Sequence, residues 1–173
     1  MHAPTAGHRS FHPPSTLTSA LRAGVSAGIA SELMVAACSL RNAGSASAGI
    51  NATSQWLWGR RARRRRKRSI RYTLVGYAVH QGCSFLWSAL YASWNARRPT
   101  ASRGVQLRRA AVVGLFAAAV DYTVTPKRLR PGFEAHLSRA SMVGVYAVFG
   151  LGLYLATARH GGATVRRHAE RGG

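Results

Sequence analysis

Residues 72–94 read YTLVGYAVHQGCSFLWSALYASW, and no Asp, Glu, Lys or Arg interrupts those 23 positions. A helix rises about 1.5 Å per residue, so a stretch of this length matches the ~30 Å hydrocarbon core of a bilayer. A soluble helix of the same length would carry a charged face. Immediately before it stands GRRARRRRKRSIR (59–71), with nine positive charges in thirteen residues. Against the start of a span, such a run reads as a topology anchor and a contact for anionic lipid headgroups, each basic side chain contributing about 1 kcal/mol near a charged surface. The contact residues are Arg60, Arg61, Arg63, Arg64, Arg65, Arg66, Lys67 and Arg68, joined farther along by Lys127 and Arg128.

The rest of the chain is judged against that pair of stretches. A formal charge of +21, from 25 Lys and Arg against 4 Asp and Glu, asks for an anionic partner, either nucleic acid or a membrane. No motif that reads DNA or RNA accompanies the basic run, which makes the bilayer the expected partner and nucleic-acid binding by residues 60–71 the rival. Ala140 to Ala158 (ASMVGVYAVFGLGLYLATA) is again free of charge across 19 positions. Two weaker apolar segments, about 18–40 and 107–125, are interrupted by Glu32 and Asp121 respectively. The expected fold is therefore all-α: a membrane-embedded bundle of about four transmembrane helices, near 18–40, 72–94, 107–125 and 140–158. The mean hydropathy of −0.07 reflects dilution by the basic run and the tails.

At 173 residues the chain accommodates a single membrane domain over 16–158. Residues 1–15 (MHAPTAGHRSFHPPS) lack periodicity and predict a disordered tail; His2, His8 and His12 lie in it without a fixed geometry for metal. Ser15 or Thr16 suits the cap of the first helix and Ser138 that of the fourth. Pro126 should stop the third helix, and Pro131-Gly132 makes a turn. Residues 159–173 form a second basic, Gly-rich tail. Residues 60–71 are expected as a basic loop.

Segment 43–59 (AGSASAGINATSQWLWG) is too polar for a regular span. Ile50, Trp56, Leu57 and Trp58 suit a short interfacial helix with its indoles at headgroup depth, and a re-entrant segment is the alternative. Asn51-Ala52-Thr53 is a glycosylation sequon of a kind that chance produces often. Val35-Ala36-Ala37-Cys38 resembles a lipoprotein cleavage box, but Glu32 and the late cysteine argue against cleavage. Cys38 and Cys83, without metal-ligand spacing, read as packing residues.

With four spans, the side bearing the N-terminus carries 11 basic residues and the opposite side 14. The dense run favours the latter as cytoplasmic, with both termini periplasmic; oppositely inserted copies are the alternative. Trp56, Trp58, Tyr72 and Tyr122 mark one interface, and Tyr91, Trp94 and Tyr154 the other.

The three ionisable residues within the apolar segments sit on stripes of small side chains at four-residue spacing. The first helix offers Ala20, Gly24, Gly28, Glu32 and Ala36; the second Gly76, His80, Ser84 and Ser88. In the third, Asp121 shares a face with Ala110, Gly114 and Ala117, and the fourth offers Ala140, Gly144, Val148 and Gly152. Small residues allow close helix approach, so Gly24, Gly28, Gly76, Gly114, Gly144 and Gly152 are the expected packing points. Glu32, His80 and Asp121 fall at similar depths, which predicts one intramembrane polar layer. An isolated charge there costs several kcal/mol, so pairing or protonation is required. The layer reads either as a hydrogen-bonded cluster that selects helix partners or as a proton- or cation-linked site. A metal site built from the trio has no verifiable spacing, no cofactor is implied, and the absence of a flanked nucleophile, P-loop or HExxH pattern argues against an enzyme.

GINATSQWLWG (49–59), YTLVGYAVHQGCSFLWSALY (72–91) and DYTVTPKRLRPGFE (121–134) resemble segments of small, uncharacterised integral membrane proteins of proteobacteria. The resemblance covers roughly residues 20–158 and implies a multi-pass bacterial inner-membrane protein; it supplies no catalytic residue, and the long Arg run departs from it. The expected role is a structural or accessory membrane component that self-associates, with a small proton- or cation-coupled transporter as the alternative.

Overall fold

The first helix starts where a side chain can hold it: Ser15 Oγ accepts the Thr18 amide at 3.2 Å in the computed structural model, which describes residues 15–98 and 102–169, with side chains to residue 158. The histidines and basic residue of the N-terminal tail lie outside the described residues. Helix α1 (Thr16–Ala43) ends at Gly44, whose φ of 68° is the left-handed conformation that closes a helix, its amide bonding the Leu40 carbonyl. Three short helices follow, α2 (Ser47–Thr53), α3 (Gln55–Trp58) and α4 (Arg60–Arg64). The long helices α5 (Ile70–Ala96), α6 (Arg103–Ala119) and α7 (Arg139–Ala169) complete the chain, and no strand occurs among the described residues. The fold is all-α.

Each expected long helix is present with extended ends. A π-helical turn, Val120–Val124, lengthens α6, and Thr125 before Pro126 is already extended. Ser138 caps α7, accepting the Ser141 amide at 3.2 Å, and the helix continues past residue 158 to Ala169 instead of giving way to a tail there. Residues 60–64, expected as loop, form the turn α4. By length and composition, α1 and the Arg139–Ala158 part of α7 are apolar enough to cross a membrane. Helix α5 is long enough, but His80, Gln81 and its serines dilute its apolar character; α6 alone is short and carries Arg108 and Arg109.

The long helices run antiparallel. Helix α1 packs along both α5 and α7, α6 packs along α7, and α5 meets α6 more sparingly. The α1–α5 seam is closed by Ser88 donating to the Ala20 carbonyl at 2.8 Å and Gln81 donating to the Gly24 carbonyl at 2.9 Å. All six expected glycines lie at helix contacts: Gly24 against Phe85, Gly28 against Gln81, Gly76 against the Ile50 carbonyl, Gly114 against Tyr146 and Gly150, Gly144 against Met34, and Gly152 against Ala27. The face of α7 needs correction. Ala140 is exposed, and the buried line is Val145, Phe149 and Leu153, one residue round from the predicted stripe. Bulkier side chains fill that face because α7 must fill the space between α1 and α6.

Residues 43–59 form short helices with one side buried against the long ones. Ala48, Gly49, Asn51, Ala52, Thr53, Ser54 and Gln55 are buried, and α2 packs on α1 and α5 as a cap over one end of the bundle. The polar residues that forbid a regular span are satisfied inside this cap. Asn51 donates to the carbonyls of Arg65 and Lys67 at 2.9 and 3.0 Å and accepts from Thr73 Oγ at 2.7 Å. Ser45 and Ser47 both donate to the Arg66 carbonyl. The sequon asparagine is thus buried and consumed by structure. The backbone of the Arg run is pinned, and Arg64, Arg65, Arg66, Lys67 and Arg68 point outward.

At the capped end Arg71 lies 3.7 Å over the Trp58 ring and Trp58 meets Tyr72 edge-on at 6.1 Å. At the other end Tyr91 is fully buried instead of marking an interface, donating to the Gln106 carbonyl at 3.3 Å. Lys127 is exposed, whereas Arg128 donates to the Trp56 and Leu57 carbonyls, both at 3.3 Å, and so ties the cap to the following turn in addition to carrying charge.

His136 joins that turn to the basic run, its Nε2 donating to the Arg63 carbonyl at 2.8 Å. Burial lowers its pKa, and the charges of Arg66 and Arg63 act in the same direction, against the hydrogen bond to Arg63 and the charge of Glu134. A His whose folded pKa is depressed binds fewer protons folded than unfolded, so stability is full above the ordinary His value and declines as pH falls through it. Amide exchange over residues 60–69, corrected for intrinsic rates, should therefore accelerate between about pH 7 and pH 5. His136→Gln, which keeps a donor and cannot titrate, should flatten that profile; an unchanged profile would exclude His136 as its cause.

Candidate functional site

The α1–α5 seam carries the buried ionisable pair. Adjacent residues on a helix point about 100° apart, so Ser31 and Glu32 of α1 flank one His80 ring presented by α5. His80 Nδ1 is 3.2 Å from Glu32 Oε2, and its Nε2 is 2.8 Å from Ser31 Oγ. Glu32 is 5% exposed, and neither of its oxygens makes an aligned hydrogen bond, so the contact with His80 is its principal polar one. Ser31 Oγ gives its own proton to the Ala27 carbonyl at 2.8 Å and therefore accepts from Nε2, so Nε2 carries a proton. Glu32 and His80 then share the remaining proton, as acid and neutral imidazole or as carboxylate and imidazolium. Both arrangements are neutral overall, as burial demands.

Ser31, His80 and Glu32 have the spacing of a nucleophile, a base and an orienting acid, but not the chemistry. Ser31 Oγ donates back to the Ala27 carbonyl at 2.8 Å from the middle of a helix, where neighbouring amides are committed to the helix ladder and cannot stabilise an oxyanion. The trio is a proton-sharing cluster.

Asp121 does not join it. It pairs across the α6–α7 seam instead, accepting from Tyr146 Oη at 2.6 Å. Helices α5 and α6 meet only sparingly, through Arg109 donating to Asn95 at 2.8 Å, Tyr91 donating to the Gln106 carbonyl, and Trp87 edge-on to Phe116 at 5.7 Å. Toward the capped end a cavity of about 50 Å³ opens between them, lined by Ser31, His80, Asp121, Tyr146 and the aromatic residues Trp56, Trp87 and Phe149. One water requires about 10–15 Å³ of such space, so the cavity has room for several small atoms. The α2–α3 cap and the Leu129–Phe133 turn bound one end of it, tied together where Gln55 Nε2 and Trp56 Nε1 both donate to the Arg130 carbonyl, at 2.7 and 3.3 Å.

The expected polar layer is thus split, with Glu32 and His80 in contact and Asp121 facing His80's cavity from another wall. Among the described residues no three His, Cys, Asp or Glu side chains gather as metal ligands. Cys38 is buried in packing, but Cys83 also lines the cavity. Sequence reasoning missed Ser31, Tyr146 and the buried Arg109. Ser31 was detectable as the polar neighbour of Glu32; Tyr146, two residues off the Gly144 stripe, carried no signal of its partner. Comparison of the chain with protein-family models, curated protein sequences and solved structures found no significant match.

Proposed function

We propose that α1, α5, α6 and α7 all cross a bacterial inner membrane, making the chain a multi-pass membrane component organised around an intramembrane polar site. One observation carries this reading: the bundle is built inside out. Small or polar residues take a large share of its core, with Ala23, Ala27, Ala110, Ala117, Ser31, Ser84 and Ser88 buried beside Tyr91, Val145, Phe149 and Leu153, while large apolar side chains also face outward on every long helix. Leu33 is 66% exposed on α1, Leu86 66% on α5, Leu115 71% on α6 and Val143 71% on α7. Water would penalise four such faces together, and lipid welcomes them. The hydrophobic drive that packs soluble helices is absent in lipid, so small-residue contacts and inter-helix hydrogen bonds hold the bundle, as at Gly152 and Ser88. The cap sits on the side of the basic run, in line with a cytoplasmic placement of that end.

A second reading, coupled movement of protons or cations, is favoured by the cavity between His80 and Asp121. A cluster serving only to select helix partners would have no need of a space lined by two ionisable groups. The test has two arms. The protein should stay with membranes through alkaline carbonate and leave only in detergent; release by carbonate would overturn the membrane reading. In liposomes, Asp121→Asn and Glu32→Gln should each reduce proton-dependent flux about ten-fold or more. Flux equal to the parent's in both would leave an accessory role and remove the coupled one.

A further inference from the structure

We infer that the cavity between α5, α6 and α7 binds a small organic ammonium ion, a primary amine with a short alkyl body. The inference deepens the reading just given, since it names a ligand class for the same cavity. Asp121 supplies the charge. Its Oδ2 accepts from Tyr146, and no other partner for its carboxylate occurs among the described residues, which leaves Oδ1 for a donor from the cavity. Trp56, Trp87, Phe149 and Tyr146 supply the surroundings of an alkylammonium: ring faces attract cations, and apolar walls accept the alkyl chain.

An inorganic cation fits these walls poorly. Hard cations need about six oxygen ligands. The lining offers one carboxylate and the hydroxyls of Ser31, Thr53, Ser84 and Tyr146, and the bonds these donate to Ala27, Gly49, His80 and Asp121 respectively hold each oxygen at its own helix, where they are not free to gather round an ion. A neutral apolar ligand would leave Asp121 unanswered. An ammonium of a few heavy atoms meets the carboxylate, the aromatic walls and the cavity size together. His80, on another wall, is committed by Nδ1 to Glu32 and by Nε2 to Ser31, and with Glu32 it presents a pair that is neutral overall.

The experiment uses the full chain in detergent or nanodiscs, with n-propylammonium chloride as probe and tryptophan fluorescence together with titration calorimetry as readouts. Saturable binding is expected for propylammonium and not for sodium chloride at equal ionic strength or for n-propanol. Asp121→Asn should weaken it about 10- to 100-fold. Tyr146→Phe, which returns Oδ2 to the cavity, should bind at least as tightly as the parent and keeps the inference testable if Asp121→Asn fails to fold. Gly82→Ala, on an open face of α5, serves as the control for detergent and handling effects. An equal response to sodium, an equal response to propanol, or parent-like binding by Asp121→Asn would each overturn the inference. Absence of amine binding in a chain that still conducts protons would sink the ligand class alone, whereas release from membranes by carbonate would sink the membrane reading alone.

Discussion

Replacing His80 by Leu is expected to destabilise the bundle by about 3 kcal/mol, because it leaves the Glu32 carboxyl buried with no partner. The size follows from the geometry. Glu32 is 5% exposed and its oxygens make no aligned hydrogen bond, so no other protein group takes over when the ring is lost. Removing both partners should cost far less, since two apolar side chains of similar bulk suit an apolar seam. A double-mutant cycle with Glu32→Leu, read by denaturant unfolding in micelles, should give a coupling of at least about 1–2 kcal/mol, with the double variant more stable than His80→Leu alone. Additive losses would show that the 3.2 Å approach of Nδ1 to Oε2 contributes nothing to stability.

The second large effect is steric. At Gly152 a built Cβ would stand 2.6 Å from the Ala27 Cα, which is backbone and cannot swing aside. Gly76 is tighter still, its missing Cβ lying against the Ile50 carbonyl, where α5 supports the cap. Gly152→Leu should part α1 from α7, and Gly76→Ala should lift the cap; each is expected to cost about 1–3 kcal/mol. Gly82→Ala on the same helix as Gly76 meets nothing within 4 Å and should change the melting temperature little. Equal melting of all three variants would show that close approach does not hold the helices together.

Much of this arrangement was legible before the coordinates, and the reasons it was or was not are physical. Helix positions follow from long, mainly apolar stretches, two of which Glu32 and Asp121 interrupt without ending the helix. The glycine contacts followed from four-residue spacing. Ser15, Ser138 and Pro126 fixed ends because their effect is local. What escaped was whatever depends on one helix's rotation relative to another. The stripe on α7 was placed one residue off, since Val145, Phe149 and Leu153 compete with the glycines for the same seam. Asp121 was grouped with His80 because equal depth was taken for contact, and depth carries no information on which neighbour a helix leans toward. The burial of the cap's polar side chains carries no sequence signal either, because the carbonyls that Asn51 and Gln55 reach belong to distant stretches of chain.

The proton-sharing pair has a consequence for biogenesis. Ser31 and His80 are 49 residues apart in the chain. At about 5–20 residues per second, the ribosome delivers Glu32 roughly 2–10 s before the ring that answers it. Throughout that interval the nascent first helix carries a carboxyl without the His80 ring that meets it in the folded chain. Arrival of α5 ends the wait, so the pair can form only after the second long helix has been made.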